Sequence, residues 1–126
     1  IYTDFRDFQK ASLKMCVEIF DERKAERLKA ELAEYDCVRF SDGFWYKFTK
    51  AGVTKERAIT MICEACKISP TDIAAFGDDF ADIGMLQQCG LGIAMGNAMD
   101  TVKAQANEVT LDNNSDGIAV VIERFL

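Results

Sequence analysis

The sequence predicts an α/β fold built around a doubly wound parallel sheet, and three observations carry that expectation. From about residue 50 onward, short apolar runs alternate with helical stretches. The runs at 73–76 and 91–95 are apolar almost throughout, the pattern of strands covered on both faces. Each is followed by a turn rich in Gly, Asp or Asn, at the strand end where such sheets collect ligands. With 126 residues and 49% hydrophobic content, the chain has material for one packed core or two small lobes.

The first 50 residues follow a different pattern. Residues 12–20 place Leu13, Met15, Val17 and Ile19 on one face and Lys14 and Glu18 on the other, which predicts a half-exposed antiparallel strand. Asp21 caps a predicted helix over 21–35 whose buried stripe is Ala25, Leu28, Leu32 and Tyr35, with Arg27 and Glu31 paired one turn apart on the wet side. Residues 37–41 and 44–50 read as two strands joined through Asp42-Gly43, a hairpin signal. Phe44, Tyr46 and Phe48 share one face and are expected in the core, while Trp45 lies opposite, beside Lys47 and Thr49.

The second part is expected to run αβαβαβα. Thr54 starts a helix over 54–67 with Ala58, Ile62 and Ala65 as its stripe, flanked by Ile59 and Cys66. Ser69-Pro70-Thr71-Asp72 is a compact helix start, with a cap residue, Pro at the first position and an acid in the first turn. A strand over 73–76, a loop over 77–82 and a helix to about Cys89, stopped by Gly90, come next. A strand at 91–95, the Gly96-Asn97 turn, a helix at 101–106, a strand at 108–111 and a closing helix at 118–125 complete the expectation.

Composition excludes several kinds of chemistry. The chain has no His, which removes Ser-His-Asp and Cys-His catalysis and every His-ligated metal site. Carboxylate, Lys, Arg and Cys chemistry remains. With 15 basic and 21 acidic residues the net charge is −6, which disfavours nucleic acid as a partner. The apolar runs are far too short for a membrane-spanning helix. Five cysteines at irregular spacing argue for reduced thiols and a cytoplasmic setting. Cys63 and Cys66 form a C-x-x-C late in a helix, without a second pair, and read as small helix residues. The start at Ile1 shows neither an initiator Met nor a leader pattern and reads as the middle of a longer chain.

The chemistry concentrates in Gly77-Asp78-Asp79-Phe80-Ala81-Asp82. Three carboxylates within five residues at the end of a buried strand repel one another unless a cation or hydrogen-bond donors join them. Hard oxygen ligands there suit Mg²⁺, and an Asp-rich capped loop without a ligand fits the spacing equally well. Gly77 is expected to let the backbone turn sharply off the strand. Lys55, in the first turn of the helix after Thr54, is placed where its ammonium and free helix N–H groups meet one anion together.

Gly52-Val53-Thr54-Lys55, Ile68-Ser69-Pro70, the run from Ala75 through Gly77-Asp78-Asp79-Phe80-Ala81-Asp82 to Leu86, Gly92-Ile93-Ala94-Met95-Gly96-Asn97-Ala98 and Asp116-Gly117-Ile118-Ala119 occur in this order. Together they resemble the C-terminal half of a Cof-type haloacid-dehalogenase-like (HAD) phosphatase. The resemblance implies the second half of a Rossmann-like core at 51–126, part of an α/β cap at 1–50, and a fragment of a larger protein. It implies an Mg²⁺-dependent phosphomonoesterase acting on a small phosphorylated metabolite, a sugar phosphate or nucleotide-like compound. In that family an Asp on the first core strand is the nucleophile. No Asp-x-Asp in a strand-then-loop context occurs here, since Asp4 and Asp7 have the wrong spacing, so that residue is expected in an N-terminal part outside this chain.

By the same resemblance Lys55 and Asp82 are the catalytic residues of this chain and Asp78 and Asp82 its metal residues: Lys55 neutralises the nucleophile and the phosphoryl oxygens, Asp78 is the acidic Mg²⁺ ligand, and Asp82 is the second acid, supporting the metal site through hydrogen bonds or water. Gly77, Asp79 and Asn97 are candidates for shaping the phosphate loop or the site, Asp79 at a position that varies in the family and Asn97 by forming a backbone turn. Two positions depart from the family pattern: Ala81 stands where Asn is usual, and Glu56 where Gly is usual. Those departures and the missing nucleophile leave a non-catalytic binding or regulatory module as the alternative. A phospho-acceptor receiver domain shares the acidic pocket but fails on the order of its motifs.

Overall fold

The computed structural model describes residues 11–40 and 43–126. The Asp4 and Asp7 positions and the Asp42 half of the hairpin signal lie outside the described residues. Two three-stranded sheets make up the framework, one antiparallel and one parallel.

The antiparallel sheet comprises β1 (Lys14–Glu18), β2 (Tyr35–Arg39) and β3 (Trp45–Lys50), with β3 in the centre. The central position falls to the most aromatic strand, since a central strand contributes both edges to pairing and one whole face to the core. Tyr46 and Phe48 are buried there against Ala25, with Ile19, Leu28, Leu32 and Cys37 packed around them. Phe44 and Trp45, at the hairpin end, stay more than 40% exposed. The helix α1 (Glu22–Glu31) lies over this core, capped by the Asp21 carboxylate, which accepts from the Arg23 N–H at 2.9 Å. It stops earlier than its periodicity predicts. Leu32 leaves helical geometry, and Tyr35 opens β2 opposite Lys50 instead of extending the helical stripe. Cross-strand pairing wins over one more helical turn.

The parallel sheet has the order β4 (Ala74–Gly77), β5 (Leu91–Ala94), β6 (Glu108–Val109). The helix α2 (Lys55–Cys66) precedes β4 and is separated from it by a single 3₁₀ turn, Pro70–Asp72, capped by Ser69. A second 3₁₀ turn (Phe80–Asp82) leads into α3 (Ile83–Gln88) between β4 and β5, and α4 (Asp100–Lys103) connects β5 to β6. The chain ends in α5 (Gly117–Ile122) and a further 3₁₀ turn (Glu123–Phe125). Leu86, Ala94, Ala98 and Val102 form the core of this part, flanked by Ile83 and Ala106.

Two expectations need correction here. The buried side of α2 is Glu56, Ile59, Thr60 and Cys63, while Ala58, Ile62 and Ala65 of the expected stripe are exposed. Polar contacts to α3 set this rotation: Gln88 Nε2 donates to Thr60 Oγ1 at 2.8 Å, and the Glu56 side chain lies against Gly84. Likewise, β4 is not covered on both faces among the described residues, because Ala74 is exposed while Ala75 and Gly77 are buried.

The two sheets are linked by the connection after β3. Gly52 adopts a φ of 75°, in the left-handed region, and its N–H donates to Asp36 Oδ2 of β2 at 2.7 Å. Gly is the residue that enters this region at least cost, and the bond fixes where α2 begins relative to the antiparallel sheet. No helix among the described residues is long and apolar enough to cross a membrane.

Candidate active site

The site is assembled at the carboxyl end of β4 and the start of α2, around one buried carboxylate. Asp82 is only 3% exposed. A buried carboxylate must have its oxygens satisfied, and here three groups do so. Lys55 Nζ forms an ion pair with Asp82 Oδ1, and the backbone N–H groups of Asp78 and Asp79 donate to Oδ2 at 3.1 and 3.2 Å. Burial pushes the Asp82 carboxyl up. The Lys55 hydrogen bond, the two amide bonds and the Lys55 charge together outweigh that and hold it below its ordinary value. Asp82 is therefore a fixed negative charge that folds the 78–82 loop around itself and reaches Lys55 on the neighbouring helix.

Local sequence explains each placement. Thr54 Oγ1 accepts from the Arg57 N–H, so Thr54 is the cap that puts Lys55 in the first turn of α2. Asp79 caps the Phe80–Asp82 turn, accepting from the Phe80 N–H at 2.6 Å, and the Asp79 N–H returns to the Asp82 carboxylate in a reciprocal capping box. The Asp-x-x-Asp spacing carries that signal in the sequence. Gly77 has a different function from the expected one. It has no positive φ, but a Cβ built on it would lie 2.5 Å from Asp82 Cβ. Glycine is needed for the close approach of Asp82, not for a sharp turn.

Asp78 is exposed, and Asn97 Nδ2 donates to its Oδ2 at 3.1 Å. Lys55, Asp82, Asp78 and Asn97 thus form one continuous hydrogen-bonded chain in that order, with the Lys55 side chain 55% exposed at one end and Asn97 at the other. The side-chain bond of Asn97 is a contact that its turn motif does not reveal. The Glu56 side chain lies against Gly84 of α3. A Cβ on Gly84 would lie 1.7 Å from Glu56 Oε1, and Glu56 Oε2 is buried with no hydrogen-bond partner among the described residues.

The sequence pattern that defines the haloacid dehalogenase-like hydrolases matches residues 1–122. The chain belongs to that family. It is 48% identical over 77 residues to a pyridoxal phosphate phosphatase of Escherichia coli, a match that takes in 61% of this chain and 28% of that protein. Its fold superposes on a phosphatase of the same superfamily from Bacteroides thetaiotaomicron with a TM-score of 0.85 at 26% identity, covering 98% of this chain and 46% of that one. A solved subclass IIB sugar phosphatase gives a TM-score of 0.80 at 29% identity, over 92% of this chain and 44% of the other. The chain therefore spans less than half the length of each of these HAD relatives. The Cof-type resemblance and the doubly wound α/β fold expected from the motifs are borne out.

Whether HAD chemistry's divalent cation suits these residues is decided by the donors. Among the described residues no three His, Cys, Asp or Glu side chains converge on a point. Mg²⁺ does not require that, because it takes one or two protein carboxylates and fills its other places with water and phosphate. Asp78 meets the requirement: it is exposed, one oxygen is held by Asn97, and among the described residues nothing bonds the other.

Proposed function

We propose that the complete protein containing this chain is an Mg²⁺-dependent phosphomonoesterase. It acts on a small phosphorylated metabolite, a sugar phosphate or nucleotide-like compound, through an aspartyl-phosphate whose nucleophilic Asp lies outside these 126 residues. Residues 51–126 are then the second half of the catalytic core and residues 1–50 part of a cap. The observation that carries this reading is the Lys55–Asp82–Asp78 connection, which sets an ammonium and an exposed carboxylate around one buried anchor. The names of the relatives, a pyridoxal phosphate phosphatase and a sugar phosphatase, favour a small phosphate ester as substrate.

In this reading each residue has a separate task. Lys55 is tethered from inside by Asp82, and its remaining N–H donors face solvent, where they meet the phosphoryl oxygens. Asp82 fixes the ammonium in place and keeps the loop folded. Asp78 offers its outward oxygen to Mg²⁺, with Asp79 and Gly77 shaping the loop behind it. The cation, when bound, offsets charge between the attacking carboxylate and the phosphoryl group.

The test is a panel of phosphate monoesters assayed on the complete protein with and without Mg²⁺. Turnover is expected only with the cation. Lys55→Ala is expected to lower kcat by roughly 10²–10³-fold, the range for losing one preorganised electrostatic donor. Full activity in Asp78→Ala would remove the metal role assigned to Asp78.

A further inference from the structure

We infer that Asn97 is a positioning residue that sets the orientation of Asp78 and couples it to the polar loop before α5. The inference rests on the magnesium reading of Asp78 above and adds a residue to it. Asn97 bonds at both ends of its amide. Its Nδ2 donates to Asp78 Oδ2 at 3.1 Å, and its Oδ1 accepts from the Asn113 N–H at 3.1 Å. The chemistry of the partners fixes which end is which. An ionised carboxylate only accepts and a backbone N–H only donates, so a primary amide serves both, whereas Ala offers neither group and an ionised Asp no donor.

The surroundings make this bridge the last step of a ladder. Behind β5 and β6 the backbone is already joined, with the Thr110 N–H donating to Ala94 O at 2.9 Å and the Gly96 N–H to Leu111 O at 3.0 Å. Asn97 continues the series one residue further on, now through its side chain, and passes it on to Asp78. Inside the next loop, the Asn114 N–H donates to Asp112 Oδ1 and the Ser115 and Gly117 N–H groups to Asp112 O. This makes the segment a compact unit. One amide therefore ties a compact loop to one oxygen of Asp78, while among the described residues nothing bonds the other oxygen of this exposed side chain.

Two consequences follow. A cation on Asp78 favours the orientation that Asn97 holds, so Mg²⁺ binding and protection of the Asn113 N–H reinforce each other, as reciprocal linkage requires. Loss of the amide lets the Asp78 carboxylate rotate and weakens cation binding without touching Lys55 or Asp82.

The experiment uses the complete protein and two readouts that need no substrate: calorimetric titration with MgCl₂, and hydrogen exchange at the Asn113 amide with and without Mg²⁺. In the unaltered protein, Mg²⁺ is expected to slow Asn113 exchange. Asn97→Ala is expected to weaken Mg²⁺ affinity roughly three- to tenfold, the effect of losing one hydrogen bond of ordinary net strength at an exposed site, and to abolish the Mg²⁺ effect on Asn113. Asp78→Asn separates the two levels of the reading. Unchanged Mg²⁺ affinity in that variant overturns the magnesium assignment itself. Lost affinity there, with wild-type affinity and wild-type Asn113 protection in Asn97→Ala, overturns the role of Asn97 alone. Should Asn97→Ala not fold, the side-chain NH₂ resonance of Asn97 in the unaltered protein decides the matter. A shift on Mg²⁺ titration supports the bridge, and an invariant resonance overturns it.

Discussion

At the scale of single residues, Asp82 is the charge on which the rest of the site is organised. Its burial is tolerated because an ammonium and two backbone amides meet its oxygens, and removing the charge leaves these donors facing a weaker acceptor. Asp82→Asn is expected to destabilise the protein by about 2–4 kcal/mol, read as a lower urea midpoint at unchanged slope. Lys55→Met is expected to cost less, about 1 kcal/mol, because Lys55 is half exposed and the two amides still hold Asp82. The cysteines divide in the same way by surroundings. Cys16 and Cys66 are exposed, whereas Cys63 and Cys89 are buried. Burial first, and the nearby Cys63 second, raise the Cys89 thiol above its ordinary 9.0, and burial raises Cys37 despite the Lys29 charge. A raised thiol keeps its proton in the folded state after the unfolded state has lost it. The contribution of these two groups is therefore complete below the ordinary thiol range and lost as the pH rises through their folded values. Alkylation followed by mass spectrometry is expected to label Cys16 and Cys66 first, with Cys89 reacting in denaturant or at strongly alkaline pH.

At the scale of elements, the contact between α2 and α3 is where local pattern and tertiary structure disagree. Periodicity predicts an apolar stripe of Ala58, Ile62 and Ala65, but the helix turns Glu56, Thr60 and Cys63 inward. No propensity encodes that choice, because it depends on Gly84 of α3 being small enough to receive Glu56. Gly84→Ala puts a methyl group where Glu56 Oε1 lies and is expected to destabilise by about 1–2 kcal/mol. Combining it with Glu56→Ala is expected to recover most of that loss, since the clash then disappears and Ala is the better helix former. A double-mutant cycle by denaturation measures the coupling, and additive effects would contradict the contact. Caps, by contrast, are legible in sequence. Asp21, Thr54 and Ser69 each bond the N–H groups that their positions predict, because capping is settled within four residues.

At the scale of the molecule, two small cores sit one on each sheet, joined through the Gly52 turn that bonds to Asp36. The order of strands along the chain was readable from composition and period, and the motifs from Gly52 to Ala119 specified the family. Less legible was what distant segments do to one another. The side-chain bridge from Asn97 to Asp78 spans 19 positions, and the Lys55–Asp82 pair spans 27. Spacing alone offers no measure of such contacts, and although the family resemblance placed Lys55 and Asp82 in one site, it did not pair them. The central claim is that Lys55 and Asp78, braced by Asp82, address one phosphoryl group and one cation. Its most direct test is a crystal structure of the complete protein with Mg²⁺ and a phosphoryl mimic such as vanadate. The predicted result is the cation on the outward oxygen of Asp78, the mimic beside it, and Lys55 Nζ donating to the mimic while still paired with Asp82. A cation or mimic seated away from the end of β4, with Lys55 and Asp78 both untouched, would contradict the account.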